Sequence, residues 1–178
     1  MSSSISTRYA QSLFQLGLEE DVLDQMHDEL DVFCRLLESN RELSSLLFDS
    51  SFGKDRKKKV VNSIFDDTDN PYFVNFVNLL IDKDRITRIR RIKTLFDKRY
   101  DEYHNVLKVS VKTARPLSDE NRDILIERLE KKFNKHIRLK ENVDERLIGG
   151  IVIIAKGKIL DLSIQTKLES LKRKLKEN

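Results

Sequence analysis

Asn142–Lys167, NVDERLIGGIVIIAKGKILDLSIQTK, decides the fold of the carboxy-terminal part of this chain. Gly149-Gly150 opens an apolar run, Ile151 to Ala155. A tight basic turn, Lys156-Gly157-Lys158, precedes a second short apolar run, Ile159 to Leu162. Two short apolar segments around a three-residue, glycine-containing loop predict a β-hairpin. Ser163 stands where a helix N-cap belongs, with Ile164, Leu168, Leu171 and Leu175 spaced for one helical face. The two glycines mark backbone that passes close to another element, or bends where a side chain would clash.

Upstream, Leu107, Val109, Val111 and Thr113 alternate with Lys108, Ser110 and Lys112, the period of a half-buried strand. Ala114-Arg115-Pro116-Leu117 ends it. Ser118 caps a helix with Asp119 and Glu120 in its first turn, and Leu125, Leu129 and Phe133 recur along it with Ile124 beside them. A short strand around Ile137 and Leu139 leads into the hairpin. Residues 106–178 therefore read as strand, helix, three strands, helix, a small α/β domain. At roughly 70 residues a single core contributes only a few kcal/mol, so a partner helix laid on it would add stability.

Residues 1–105 carry the helical period instead. Ile5, Tyr9, Leu13 and Leu16 share a face with Ala10 and Phe14 beside them, so the first helix has a wide apolar surface. Val22, Met26, Leu30, Phe33 and Leu37 mark the second, which fades near Asn40, and Leu43, Leu46 and Leu47 mark a short third. After Ser51-Phe52-Gly53 comes a basic helix with Val60, Val61, Ile64 and Phe65 on its apolar side. Asp66 to Asn70 is a turn, with Asn70 as N-cap and Pro71 at the first position of the fifth helix. That helix, Tyr72 to Ile81, is apolar nearly all round, which suits a bundle centre or a partner groove. The sixth is long, with a seam of Ile86, Ile89, Ile92, Phe96, Tyr100 and Tyr103. The expected fold class is α+β: an N-terminal six-helix bundle over residues 1–105, followed by the small α/β domain over 106–178.

Composition narrows the function. Apolar residues make up 39% and charged residues 36%, and no run of about 18 apolar residues exists to span a membrane. The start, MSSSISTRYAQSLF, lacks the apolar segment of a secretory signal, and a single Cys34 cannot form an internal disulfide, so a reducing compartment is expected. The 34 cations against 30 anions give a slight basic lean that demands no particular partner. His27, His104 and His136 are far apart in sequence, and no cysteine pair or carboxylate stands at ligand spacing, so no metal is expected. The five glycines build no phosphate loop, and no nucleophile elbow is visible. The acid clusters Asp66-Asp67 and Glu19-Glu20-Asp21 read as turns or helix starts, where they satisfy amides. No catalytic residue and no cofactor is expected. Two basic stretches, Lys54 to Lys59 and Arg85 to Lys93, could neutralise phosphates, but they lack interleaved aromatics and read first as solvated helix faces.

The motifs together resemble a known family. Val143-Asp144, Leu147-Ile148-Gly149-Gly150, Ile151, Ile153 and Asp161-x-Ser163 resemble the carboxy-terminal signature of the delta subunit family of the F-type rotary ATP synthase. The mitochondrial member of that family is the oligomycin-sensitivity-conferring protein. Arg8-Tyr9-Ala10-Gln11-Ser12-Leu13-Phe14 resembles the family's opening, with Ser12 replacing the commoner alanine. Leu79 to Arg85 and Ala114-Arg115-Pro116-Leu117-Ser118 resemble two further elements, so the match runs in order along essentially the whole chain. Leu162 stands where the family usually has glycine, and Lys156-Gly157-Lys158 replaces a Gly-Asp type of turn.

The resemblance implies a non-catalytic subunit of the peripheral stalk, joining the catalytic head to the stator b subunits while the central rotor turns. It implies that amino-terminal helices of alpha subunits enter a groove between the first and fifth helices. Tyr9, Ser12, Leu13, Phe76, Leu79 and Leu80 are the candidates for that groove, unless they face only the bundle core. It further implies that the carboxy-terminal ends of the b subunits dock on the α/β domain. Gly149, Gly150, Ile151, Ile153, Asp161 and Ser163 match the signature there, either shaping the domain or touching b, with Asp161 and Ser163 bonding backbone at the start of the last helix. No nucleotide site and no nucleic acid partner belongs to such a subunit. Membrane association would come only through the complex, on the cytoplasmic face of a bacterial cell membrane, or on the stromal face of the thylakoid for a plastid-encoded copy. A small basic nucleic-acid-binding regulator is the alternative.

Overall fold

The computed structural model describes residues 4–66 and 70–176, with side chains as far as 173. Most of the turn before Asn70, Asp67 included, and the Leu175 side chain thus lie outside the described residues. Among the described residues, eight α-helices and one four-stranded mixed sheet make an α+β protein. The chain divides into two compact units, Met1–Tyr100 and Asp101–Asn178, and the division falls inside the sixth helix rather than where the sequence period changes.

The first unit holds α1 (Ile5–Glu19), α2 (Leu23–Ser39), α3 (Arg41–Phe48), α4 (Lys54–Ile64), α5 (Pro71–Asp82) and most of α6 (Ile89–Tyr103). Short polar side chains start three of them. Ser4 Oγ accepts the Thr7 amide, the Asn40 carboxamide accepts that of Leu43, and Asn70 accepts those of Tyr72 and Phe73 ahead of Pro71. Each satisfies amides that a helix leaves open at its first turn. Ile86, expected within a long sixth helix, lies in a 3-10 turn, Ile86–Arg88, that runs directly into α6, and it is buried there. Leu13, Leu30, Phe33, Phe73, Leu80 and Phe96 are among the largest fully buried side chains. Phe33, Phe65 and Phe73 meet edge to face, with centroids 5.1 to 6.2 Å apart. Of the acidic group, Glu20 and Asp21 lie in the turn after α1, as expected, while Glu19 is the last residue of α1, where a negative charge opposes the helix dipole.

The second unit holds β1 (Val106–Thr113), α7 (Asp119–Phe133), β2 (His136–Val143), β3 (Ile151–Ala155), β4 (Lys158–Asp161) and α8 (Ile164–Lys176). The strand order is β2-β1-β3-β4, with β1 and β2 parallel and the other pairs antiparallel. A parallel pair needs a crossover, and α7 supplies it. Val109, Val111, Leu129, Ile153 and Ala155 form the core. β2 is longer than the short strand expected around Ile137 and Leu139, because a charged residue continues its inward face. Glu141, in register with Val111, accepts the Leu117 amide at 2.7 Å and the Arg122 guanidinium at 2.9 Å.

The hairpin differs from expectation in its turn. Ala155 pairs with Lys158, so the loop is two residues, not three: Lys156 (φ 51°) and Gly157 (φ 73°). Two successive positive φ values give the turn whose twist matches that of the strands it joins. Gly149 and Gly150 lie against the entry to α8. A Cβ on Gly149 would stand 2.7 Å from Ile164 Cδ1. Gly150 has φ +83°, and its Cβ would stand 2.5 Å from the Leu162 carbonyl oxygen. The Gly149 carbonyl accepts the Ile164 amide at 3.0 Å, tying β3 to α8. Ser163 Oγ accepts the Thr166 amide, as an N-cap should, and Asp161 accepts the Ser163 amide at 2.8 Å and the Thr166 hydroxyl at 2.9 Å. The Ser163 amide holds the Asp161 carboxyl below its ordinary 3.8.

Two stability outcomes follow from this connection. Gly150→Ala places a Cβ against backbone at a left-handed position and should destabilise the second unit by about 1–3 kcal/mol. An unchanged denaturant midpoint and unchanged hydrogen exchange in β3 would refute the close approach. Asp161 has a depressed folded pKa, so its contribution is present above 3.8 and fades as pH falls through the folded value. The stability gap between the wild type and Asp161→Asn should therefore be open at neutral pH and close on acidification below 3.8; a gap that is independent of pH removes the carboxylate from that role.

Candidate partner-binding surfaces

The helices α1 and α5 lie side by side and antiparallel. Tyr9 meets Phe76 edge to face with centroids 6.3 Å apart, and the Tyr72 hydroxyl, in the first turn of α5, donates to Glu20 at the end of α1. Between them runs a shallow groove of about 310 Å³. Tyr9, Ser12, Leu13, Phe76 and Leu79 all line it, five of the six residues expected there. Leu80 does not. It is 0% exposed and belongs to the core of the unit, while Leu79, one position earlier, is 43% exposed. One residue along an α-helix is a rotation of about 100°, enough to exchange a solvent-facing side chain for a core one. Leu13 sits between these cases, buried and forming the floor. Leu16, Tyr72 and Asn75 complete the lining and were not singled out from the sequence. Leu16 follows Ser12 by four positions and Tyr72 precedes Phe76 by four, so extending each stripe by one helical turn would have found both.

The groove adjoins a second hollow of about 390 Å³ lined by Ile5, Arg8, Tyr9, Ser12, Lys83 and Arg85. The other basic side chains of this unit are largely engaged. Lys54 pairs with Asp84 at 2.7 Å, Lys58 with Asp82 at 2.6 Å, and Lys93 with Asp97 at 2.6 Å. Lys57 is buried, and the guanidinium groups of Arg56 and Arg90 lie over the rings of Phe52 and Phe48. Both basic stretches weighed as phosphate contacts are thus partly consumed within the unit itself.

In the second unit, the six signature residues divide by role. Gly149, Gly150, Asp161 and Ser163 shape the passage from β3 and β4 into α8. Ile151 and Ile153 pack on the sheet core. Exposed apolar surface lies elsewhere: Leu162, Ile164, Leu168 and Leu171 along and just before α8, and Ile159 and Leu160 on the edge strand β4. A hollow of about 500 Å³ lies between the end of α7 and the hairpin, lined in part by Leu129, Phe133, Ile153, Ile159 and Leu160. It was not foreseen, because its walls come from elements far apart in sequence. Among the described residues no group of three or more His, Cys, Asp or Glu side chains could hold a metal ion, and no helix is long and apolar enough to cross a membrane.

Comparison with known proteins places this architecture. The family model described as the ATP synthase delta (OSCP) subunit matches residues 5–175. The ATP synthase subunit delta of Acetivibrio thermocellus is 34% identical over 172 residues, covering 96% of this chain and 97% of the relative. That of Clostridium botulinum strain Langeland is 30% identical over 169 residues, covering 95% and 94%. A chain in the cryo-EM structure of the Toxoplasma gondii mitochondrial ATP synthase hexamer shares the fold, with a TM-score of 0.72, 19% identity and 97% coverage of both chains. None of these likenesses supports the nucleic-acid alternative. With its order of elements, its signature hairpin and its match along nearly the whole length, this chain belongs to the ATP synthase delta (OSCP) family, the non-catalytic peripheral-stalk subunits of the F-type ATP synthase.

Proposed function

We propose that this chain ties the catalytic head of the rotary ATP synthase to the b subunits of its stator, one unit binding each. The central rotor does useful work only if the head cannot follow it, so the tether has to grip at both ends and release slowly. ATP synthesis and ion transport belong to the complex, and the chain reaches the membrane only through that complex, on the cytoplasmic face of a bacterial cell.

The observation carrying this reading is the groove between α1 and α5, apolar along its walls and open to solvent. A groove of this kind accepts the apolar face of an amphipathic helix through anchors at three- and four-residue steps. The amino-terminal helix of an alpha subunit is the proposed occupant, with Tyr9, Ser12, Leu13, Phe76 and Leu79 as its contacts. For the second unit, the exposed stripe Ile164, Leu168 and Leu171, with the hollow beside Phe133 and Leu160, is the proposed seat of the b-subunit ends. The small core of this unit makes such a partner stabilising as well as structural.

Leu79 is exposed, so its replacement tests binding without disturbing the core. Leu79→Asp should weaken binding to the isolated head by about tenfold or more, the loss expected when a charge enters an apolar contact, and leave the b-subunit affinity unchanged. Leu168→Asp should do the reverse. Titration calorimetry against head and b fragments reads both, and unchanged head affinity for Leu79→Asp would exclude the groove. Strong, steeply salt-dependent binding of mixed oligonucleotides without any head binding would instead establish the nucleic-acid alternative.

A further inference from the structure

The groove between α1 and α5 carries opposite charge at its two ends. At one end Arg8, Lys83 and Arg85 line a hollow that shares Tyr9 and Ser12 with the groove, so the two adjoin. None of these three cations forms an ion pair among the described residues. The acids nearest in sequence are engaged elsewhere, Asp82 by Lys58 and Asp84 by Lys54, although Arg85 helps to hold the Asp84 carboxyl down. Beyond the opposite end of the groove, past Leu16 and Tyr72, stand Glu20, which accepts the Tyr72 hydroxyl, and Glu19, which accepts the Gln15 carboxamide and lines a neighbouring hollow together with Arg8; neither forms an ion pair among the described residues.

Helix α1 gains nothing locally from this arrangement. Arg8 sits in its first turn and Glu19 is its last residue, each opposing the helix dipole; neither an acid in the first turn nor a base in the last offsets them. A helix lying alongside with the ordinary arrangement, acidic first turn and basic last turn, would face both sets of charges favourably.

We infer that the groove selects a helix of graded charge and fixes its direction: acidic at its amino end, over Arg8, Lys83 and Arg85, basic at its carboxy end, over Glu19 and Glu20, and therefore parallel to α1. This rests on the groove reading proposed above and adds the polarity of its occupant. Arg8 and Glu19 are eleven residues apart on α1, a separation of about 16 Å at 1.5 Å per residue, so the occupant's acidic and basic turns stand about three turns apart. The apolar anchors supply affinity, and the charges supply direction and approach rate.

The test uses the full chain and two synthetic helical peptides of about 15 residues, enough for four turns. Both carry one apolar stripe; one has glutamates in the first turn and lysines in the last, and the other has these exchanged. The acidic-first peptide should bind about tenfold more tightly at low salt, a modest sum of exposed pairs, and the gap should narrow as salt screens it. Arg8→Glu with Lys83→Glu, both exposed positions, should erase or reverse the preference. Equal binding of the two peptides, or a preference that survives the double variant, overturns the polarity while leaving the groove intact. Failure of both peptides to bind, or affinities unmoved by Leu79→Asp, overturns the groove reading itself. Circular dichroism of each variant separates these outcomes from misfolding.

Discussion

An antiparallel pair of helices with more apolar surface than one core absorbs is the constraint on which the amino-terminal unit depends. Helix α5 sends Phe73, Phe76, Val77, Leu80 and Ile81 into the core of the unit and still has Leu79, which stays exposed, to place. Helix α1 buries Ala10 and Leu13 and still has Tyr9 and Leu16. The Tyr9–Phe76 contact joins the two helices, and the groove is lined by the partly buried Tyr9 and Leu16 and the exposed Leu79 above the buried Leu13 and Phe76. Apolar surface left over in this way is unfavourable for an isolated subunit, and a partner that covered it would recover about 25 cal/mol per Å² buried, less the entropy of association.

Much of this was legible in the sequence where a single side chain settles a backbone question. Asn70 before Pro71, Ser118 before Asp119 and Ser163 before Ile164 each mark a helix start, and each side chain accepts an amide of the first turn. The alternation from Leu107 to Thr113 gave β1 with its buried face correct. Other features turned on information that is not local. Leu79 and Leu80 are the same residue type one step apart, and only the neighbours of α5 decide which faces the groove. The Lys156-Gly157 turn is two residues long because the register pairs Ala155 with Lys158, which no reading of Lys-Gly-Lys alone can supply. Charged Glu141 obscured the length of β2, because its partners Leu117 and Arg122 come from the preceding connection and helix. Within the acidic group at the end of α1, Glu20 and Asp21 form a turn as the sequence suggests, but nothing in Glu19-Glu20-Asp21 shows that Glu19 closes a helix.

In the carboxy-terminal unit the family signature describes a way of turning a corner more than a contact surface. Gly149 and Gly150 let β3 start directly beneath the first turn of α8, and Asp161 and Ser163 fix that turn from the other side. Such a corner fixes the direction of α8, along which the described Leu168 and Leu171 side chains face solvent. The residues that define the signature and those that offer apolar surface are therefore different sets, joined through backbone. Leu162 fits this picture despite departing from the usual glycine, since it is its carbonyl, not its side chain, that Gly150 approaches.

Cys34 has a practical consequence. It is buried on α2, and burial pushes its thiol up to about 11, so only about one molecule in ten thousand carries the reactive thiolate at neutral pH. With this as its sole cysteine, buried and with a raised pKa, the folded chain should react slowly with maleimides and other thiol reagents. A cysteine introduced on an exposed position of either unit would therefore take a fluorophore or cross-linker in preference to Cys34, so distances from this chain become measurable.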